Sequence, residues 1–374
     1  MIYISVFFIS TFFIYLGEYY KKFKKKYTSA IFFAIGILIV AVLAGVRDLN
    51  VGTDIATYGE WLFRGAKRQN NFLNYQKIYK EIDILFLMMT YIMSKMFSDS
   101  HWLYFVIALL QYCFTFWGIT YYRNKVSVTF SWFIFLLLFY GDTLNAMRQF
   151  IAIAISFWAF QYGIKKEYKK YLFFMLIAVL FHNTAIISLG IYIIYLLIEK
   201  GNTMAAKAAV ILGALLLAMF YSYVLEFLVN IGVLNARFEH YLYGEIGFQL
   251  NPIFIRAPFI VAILLWYYRF KYHQDLKIKA LKKNEADFLV IILILELLTA
   301  EMRAVIPALY RVSFYFGYYK IIAYSRLVSV SSKKNKRILK SGLIIFLIIL
   351  WIYQNVYQGN NEIYPYTSKI LGIY

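Results

Sequence analysis

IFFAIGILIVAVLAGVRDLNVGTD, from Ile31 to Asp54, decides the fold. From Ile31 to Val46 there is no charge, and then Arg47, Asp48 and Asp54 arrive together. An uncharged apolar run approaching roughly 20 residues is what a helix needs to cross hydrocarbon about 30 Å thick. The pattern recurs along the whole chain of 374 residues, which is 62% hydrophobic and only 16% charged. A soluble globular domain is excluded, and an all-α polytopic membrane protein is expected. Apolar runs place spans near residues 2–19, 28–46, 102–122, 127–141, 148–164, 171–182 and 184–198. Others follow near 204–224, 253–270, 287–300, 303–323 and 339–356. No soluble module or fixed-period repeat interrupts them, so residues 1–374 read as a single integral membrane domain.

The net charge of +20 does not point to nucleic acid. Lys and Arg sit in short loops, where they set topology, and no loop is long enough for a binding module. KKFKKK (Lys21 to Lys26) is the densest basic loop and is expected in the cytoplasm, with the N-terminus outside. One further apolar run, Ile82 to Phe97, carries Asp83 and Lys95. If it crossed, KKEYKK (Lys165 to Lys170), KIKALKK (Lys277 to Lys283) and KKNKR (Lys333 to Arg337) would all face outside. Read as a re-entrant or interfacial helix, it leaves those loops inside, with about twelve crossings. Cytoplasmic loops are then expected near 20–27, 165–170, 269–286 and 324–340, and the main external loops near 47–101 and 223–256.

That orientation brings six polar clusters to the external face. They are GVRDLNVGTD (Gly45 to Asp54), GDTLNAMRQ (Gly141 to Gln149), FHNTA (Phe181 to Ala185), RFEH (Arg237 to His240), Arg256, and EMR (Glu301 to Arg303). Ionisable groups at or near hydrocarbon are costly, so several on one face read as a site for a polar substrate. Arg47 offers a planar five-donor fork that suits phosphate or carboxylate, and Asp54 suits acid–base work. A self-satisfied Arg–Asp turn is the bland alternative, favoured for Asp48. Arg148 opens an apolar span with Asn145 and Gln149 beside it, so a polar strip shares its face. The unperturbed pKa of a histidine suits His182 to act as a base or as a donor to an anionic oxygen. Arg237 and His240 lie in a Tyr-rich segment able to stack on sugar rings, and Arg256 and Arg303 each open a further helix.

Other chemistries find no support in the sequence. The four His are dispersed, without HxH or HExxH spacing, so no metal is expected. There is no P-loop, Gly-rich dinucleotide turn or GxSxG elbow, and no cofactor is expected. The one cysteine, Cys113, lies in an apolar run and has no partner for an intramolecular disulfide. The first apolar segment, Ile2 to Leu16, lacks a basic start and a cleavage site and is expected to be retained.

GVRDLNVGTDIATY, LNAMRQFIAIAI and LFHNTAII, in this order and spacing, resemble the EpsG-like branch of Wzy-type polysaccharide polymerases. The resemblance is strongest over residues 28–200. Arg47, Asp48, Gly52, Asp54 and Tyr58 match the first motif, Asn145, Arg148 and Gln149 the second, and His182 the third. Thr184 stands where relatives often carry Ser. Arg237, Arg256 and Arg303 do not map onto the family pattern.

The resemblance implies a GT-C-like membrane glycosyltransferase of capsule, exopolysaccharide or O-antigen assembly in the bacterial cytoplasmic membrane, with its active site facing outward. Its substrate would be undecaprenyl-diphosphate-linked oligosaccharide, and flippase and chain-length regulator proteins would be its partners. Expected catalytic residues are Asp54, His182, Arg148 and Arg47. Expected substrate contacts are Asn145, Gln149, Tyr58, Arg237, His240, Arg256 and Arg303. The alternatives are a flippase of the lipid-linked unit and an O-antigen-ligase-like transferase. A transporter should carry polar groups near the midplane in repeated halves, whereas here they hug one face.

Overall fold

The computed structural model describes residues 2–200, 257–271, 283–301 and 308–374. All the regular secondary structure described is helical. The chain forms two compact units, Met1–Ala185 with Lys333–Tyr374, and Ile186–Ser332.

The first unit begins with an antiparallel pair, α1 (Ile2–Lys22) and α2 (Lys26–Gly45). Glycines let the two backbones approach: a Cβ on Gly36 would stand 3.0 Å from the Ser10 carbonyl oxygen. The polar side chains in this contact turn onto backbone. Ser10 Oγ donates to Gly36 O at 2.6 Å and Ser29 Oγ to Gly17 O at 2.8 Å. In a setting without water this satisfaction is what permits them there.

After α2 the chain runs through a π-helical turn (Ile55–Glu60) and three short helices: α3 (Trp61–Arg68), α4 (Phe72–Ile78) and α5 (Ile84–Met96). Tyr75 is fully buried among them and donates to Leu62 O at 3.1 Å. The expected external loop of 47–101 is therefore a folded layer. At about 1.5 Å per residue, α5 is shorter than the hydrocarbon core is thick. Its exposed side chains Ile84, Met88, Ile92 and Met96 recur at every fourth position and form one apolar stripe.

Four longer helices complete this part: α6 (His101–Tyr121), α7 (Val128–Asn145), α8 (Met147–Ile164) and α9 (Tyr168–Phe181). Away from their polar facing ends, α7 and α8 are mostly apolar and buried along nearly their whole length, so they form the core. One residue, Ala146, breaks the helical path between them. The last helix, α15 (Lys333–Ile352), packs on α7. Beyond it the segment 353–374 runs back over the ends of α2 and α7, with Tyr3, Tyr140 and Tyr366 packed at its base.

The second unit contains α10 (Ile187–Lys200), α11 (Ala257–Lys271), α12 (Lys283–Glu301), α13 (Ala308–Gly317) and α14 (Lys320–Val330). Residues 303–323, expected as one span, are divided at Tyr318–Tyr319. Gly317 lets the side chains of Glu296 and Lys320 close over the break, where they pair at 2.6 Å. Residues 324–330, expected within a loop, are buried helix, with Arg326 matched by Glu285 at 3.3 Å.

Six stretches among the described residues are long and apolar enough to cross a membrane: Ile2–Lys22, Lys26–Gly45, His101–Tyr121, Val128–Asn145, Asn183–Lys200 and Lys334–Tyr357. The chain is thus a membrane protein, all-helical over the described residues. Of the twelve spans expected, 204–224, residues 253–256 of 253–270 and residues 303–307 of 303–323 lie outside the described residues.

Candidate functional site

Three helix ends meet at one carboxylate. Asp83 stands just ahead of α5, Arg148 lies in the first turn of α8, and His182 closes α9. Asp83 Oδ2 accepts from Arg148 Nη1 at 2.8 Å and lies 3.2 Å from His182 Nδ1. Asp83 Oδ1 accepts the backbone N–H of Asn183 at 3.2 Å. The Arg148 guanidinium lies over the ring of Tyr58 at 4.9 Å, with Phe86 at 5.9 Å. The side chains of Arg148 and His182 are 10% exposed and that of Asp83 11%, so the cluster is nearly sealed.

Burial alone would push the Asp83 carboxyl up. The hydrogen bond and charge of His182, the charge of Arg148 and the Asn183 N–H outweigh it, and the carboxyl sits below its ordinary value. It is held as a carboxylate between a fixed cation and an imidazole.

Beside this cluster the first two motifs and the last segment are laced together. Arg47 is 1% exposed, and its fork is turned onto main chain. Nε donates to Val51 O at 3.1 Å, Nη1 to Ala44 O at 2.6 Å and Nη2 to Leu144 O at 3.0 Å. The ring of Tyr104 lies 5.5 Å from it. Gly52 takes φ +95°, and a Cβ there would stand 2.7 Å from Asn145 Oδ1. That oxygen instead accepts the Thr53 N–H at 2.8 Å. The Asn145 amide nitrogen donates to Asn361 O at 2.7 Å and Asn361 Oδ1 at 3.0 Å, and Asn361 Nδ2 donates to Asp142 Oδ1 at 3.0 Å. Backbone bonds from Gly52 to Glu362 and from Asp48 to Thr367 extend the lacing.

The structure therefore brings Arg148, His182 and Tyr58 together, and places Arg47 and Asn145 in the adjoining lattice. Asp54 is half-buried at the head of the π-helical turn that carries Tyr58. Gln149 is buried next to Arg148. Arg237, His240, Arg256 and Arg303 lie outside the described residues. Among the described residues, no three His, Cys, Asp or Glu stand together as metal ligands.

Two participants escaped the sequence reading. Asp83 was visible only as an acid carried by the apolar run Ile82 to Phe97, and Asn361 lies 216 residues from its partner Asn145.

The sequence model of the EpsG family matches residues 30–368, a range that takes in all three motifs and most of the returning segment. This chain belongs to the EpsG family. The family is that of Wzy-type exopolysaccharide-polymerase-like proteins, and membership suggests a polysaccharide-polymerase, glycosyltransferase-like role in a lipid-linked polysaccharide context. No curated protein and no solved structure matches this EpsG-family chain.

Proposed function

We propose that this EpsG-family protein polymerises undecaprenyl-diphosphate-linked oligosaccharide repeat units on the external face of the bacterial cytoplasmic membrane. The observation that carries the reading is the buried Arg148–Asp83–His182 cluster, which sets a fixed cation beside a titratable imidazole. The transfer asks for both. A hydroxyl oxygen of the incoming unit attacks the anomeric carbon that bears the diphosphate. The carbon–oxygen bond to the diphosphate breaks, and its electron pair leaves with the phosphate. The hydroxyl proton passes to His182.

Arg148 stabilises the charge that grows on the leaving diphosphate, which requires no metal in this scheme. His182 is the general base. Tyr58 backs the Arg148 guanidinium, and Gln149 lines the same turn. Arg47 and Asn145 position the first motif against α7, and Asp54 organises the turn bearing Tyr58. Arg256 and Arg303 are proposed as further diphosphate contacts, and Arg237 and His240 as sugar contacts. The external assignment follows the basic loops, above all Lys21 to Lys26. Flippase and chain-length regulator proteins are the partners this role requires.

Polymer formation from purified protein and lipid-linked repeat units tests the reading. Arg148→Ala and His182→Ala are each expected to lower the rate by about 10²-fold or more. Near-wild-type polymer from both variants would sink the assignment.

A further inference from the structure

Asp83 occupies the position from which an acidic side chain ordinarily caps its own helix. Its backbone carbonyl does accept from Leu87 N at 3.1 Å, so α5 starts there. Its side chain makes no cap bond to α5. Cap bonds of this kind stabilise the start of a helix, and α5 forgoes one. The carboxylate instead reaches across to α8 and α9, where Oδ2 serves Arg148 and His182 and Oδ1 serves Asn183 N–H. His182 is held from both sides along its backbone as well. Its N–H donates to Ala178 O at 2.9 Å, and its carbonyl accepts from Ala185 N at 2.9 Å. The ring thus has one fixed backbone and one fixed partner on Nδ1.

A carboxylate accepts hydrogen bonds and donates none. An imidazole nitrogen that faces it must carry the proton, and the other nitrogen then holds the lone pair. We infer that Asp83 is the positioning residue of the site: it fixes His182 with the proton on Nδ1, so that Nε2 takes the proton of the acceptor hydroxyl. The inference rests on the polymerase reading above for the identity of that hydroxyl. Asp83 touches no substrate in this scheme; it also balances the imidazolium that forms when Nε2 is protonated. Because the same Oδ2 holds Arg148, the diphosphate clamp and the base share one anchor. Their spacing is then set by a single side chain.

Two measurements test this. In the first, Asp83→Asn and Asp83→Glu are assayed as folded protein for polymer formation, alongside His182→Ala and Arg148→Ala. Asp83→Asn is expected to lower kcat by about 10²- to 10⁴-fold, with KM within about threefold of wild type. Asp83→Glu should recover part of that loss, because it keeps an acceptor-only group. In the second, ¹⁵N-histidine NMR of the wild-type protein reads the tautomer of His182 directly, its signal assigned by disappearance in His182→Gln. Protonated Nδ1 is expected.

An Asp83→Asn enzyme with kcat within about threefold of wild type, beside an inactive His182→Ala, overturns the inference and leaves the polymerase reading standing. Normal polymer from Arg148→Ala and His182→Ala overturns the polymerase reading instead. If Asp83→Asn fails to fold, the wild-type tautomer decides, and a proton on Nε2 overturns the inference.

Discussion

Two arginines of the same chain meet different fates. Arg47 and Arg148 both stand beside an apolar helix with small or polar neighbours. Arg47 turns its guanidinium onto three carbonyls and is sealed, whereas Arg148 meets a carboxylate and an aromatic face. The first arrangement fastens main chain, and the second sets a charge next to a titratable ring. Residue type and spacing revealed both arginines as costly groups in an apolar chain, but not their partners, so clamp and fastener looked alike. Asp83 was harder still, because an acid in a run read as interfacial gives no sign of partners 65 and 99 residues away. Gly52 tests the fastening. Ala at position 52 must hold φ +95° and place a methyl against Asn145 Oδ1. Gly52→Ala is expected to destabilise the folded protein by about 1 kcal/mol or more. Thermal unfolding in detergent reads it, and an unchanged Tm counts against the close contact.

At the level of elements, the candidate site is made of ends. α5 begins, α8 begins and α9 stops at one point, and helix ends are where backbone groups lack partners and side chains can converge. Apolar runs made most of these helices legible, including the break near Asn145. The break at Tyr318–Tyr319 was hidden because the apolar run continues through it. What interrupts that run is a pairing between Glu296 and Lys320, two charges 24 residues apart. The returning segment was equally hidden, since its amides act through partners hundreds of positions away. Asn361→Ala removes a donor to Asp142 and one of two acceptors for Asn145. Leaving such groups unmatched costs about 1–3 kcal/mol. We expect lower thermal stability and, because Asn145 stands just across the break at Ala146 from Arg148, reduced polymer formation from the folded fraction. Full retention of both would separate the segment from the site.

At the scale of the whole molecule, the proposed orientation follows from basic loops and from keeping 82–97 out of the count of crossings. The apolar stripe on α5 and its limited length suit a helix lying in one leaflet, with its charged end held at the interface. Lys95 Nζ donates to Gln69 O at 2.7 Å, which ties that end back to the folded layer. Single cysteines at Asp54 and Lys166 test the sidedness in intact cells. A membrane-impermeant thiol reagent should label position 54 and spare position 166. The opposite pattern inverts the topology and moves the proposed site to the cytoplasm.

The bond between Asn145 and Asn361 also bears on how the molecule is built. Helices that insert one after another deliver Asp48, Gly52 and Asn145 early, yet their last hydrogen-bonding partners arrive only with residues 361–369. Contacts so far apart in sequence form late, because a long loop must be closed before they are made. Until then the first motif waits with unmatched polar groups. A nascent chain stalled after α14 would hold nearly every described helix and still lack a finished lattice, so completing the proposed site and inserting the helices are separate events in its biogenesis.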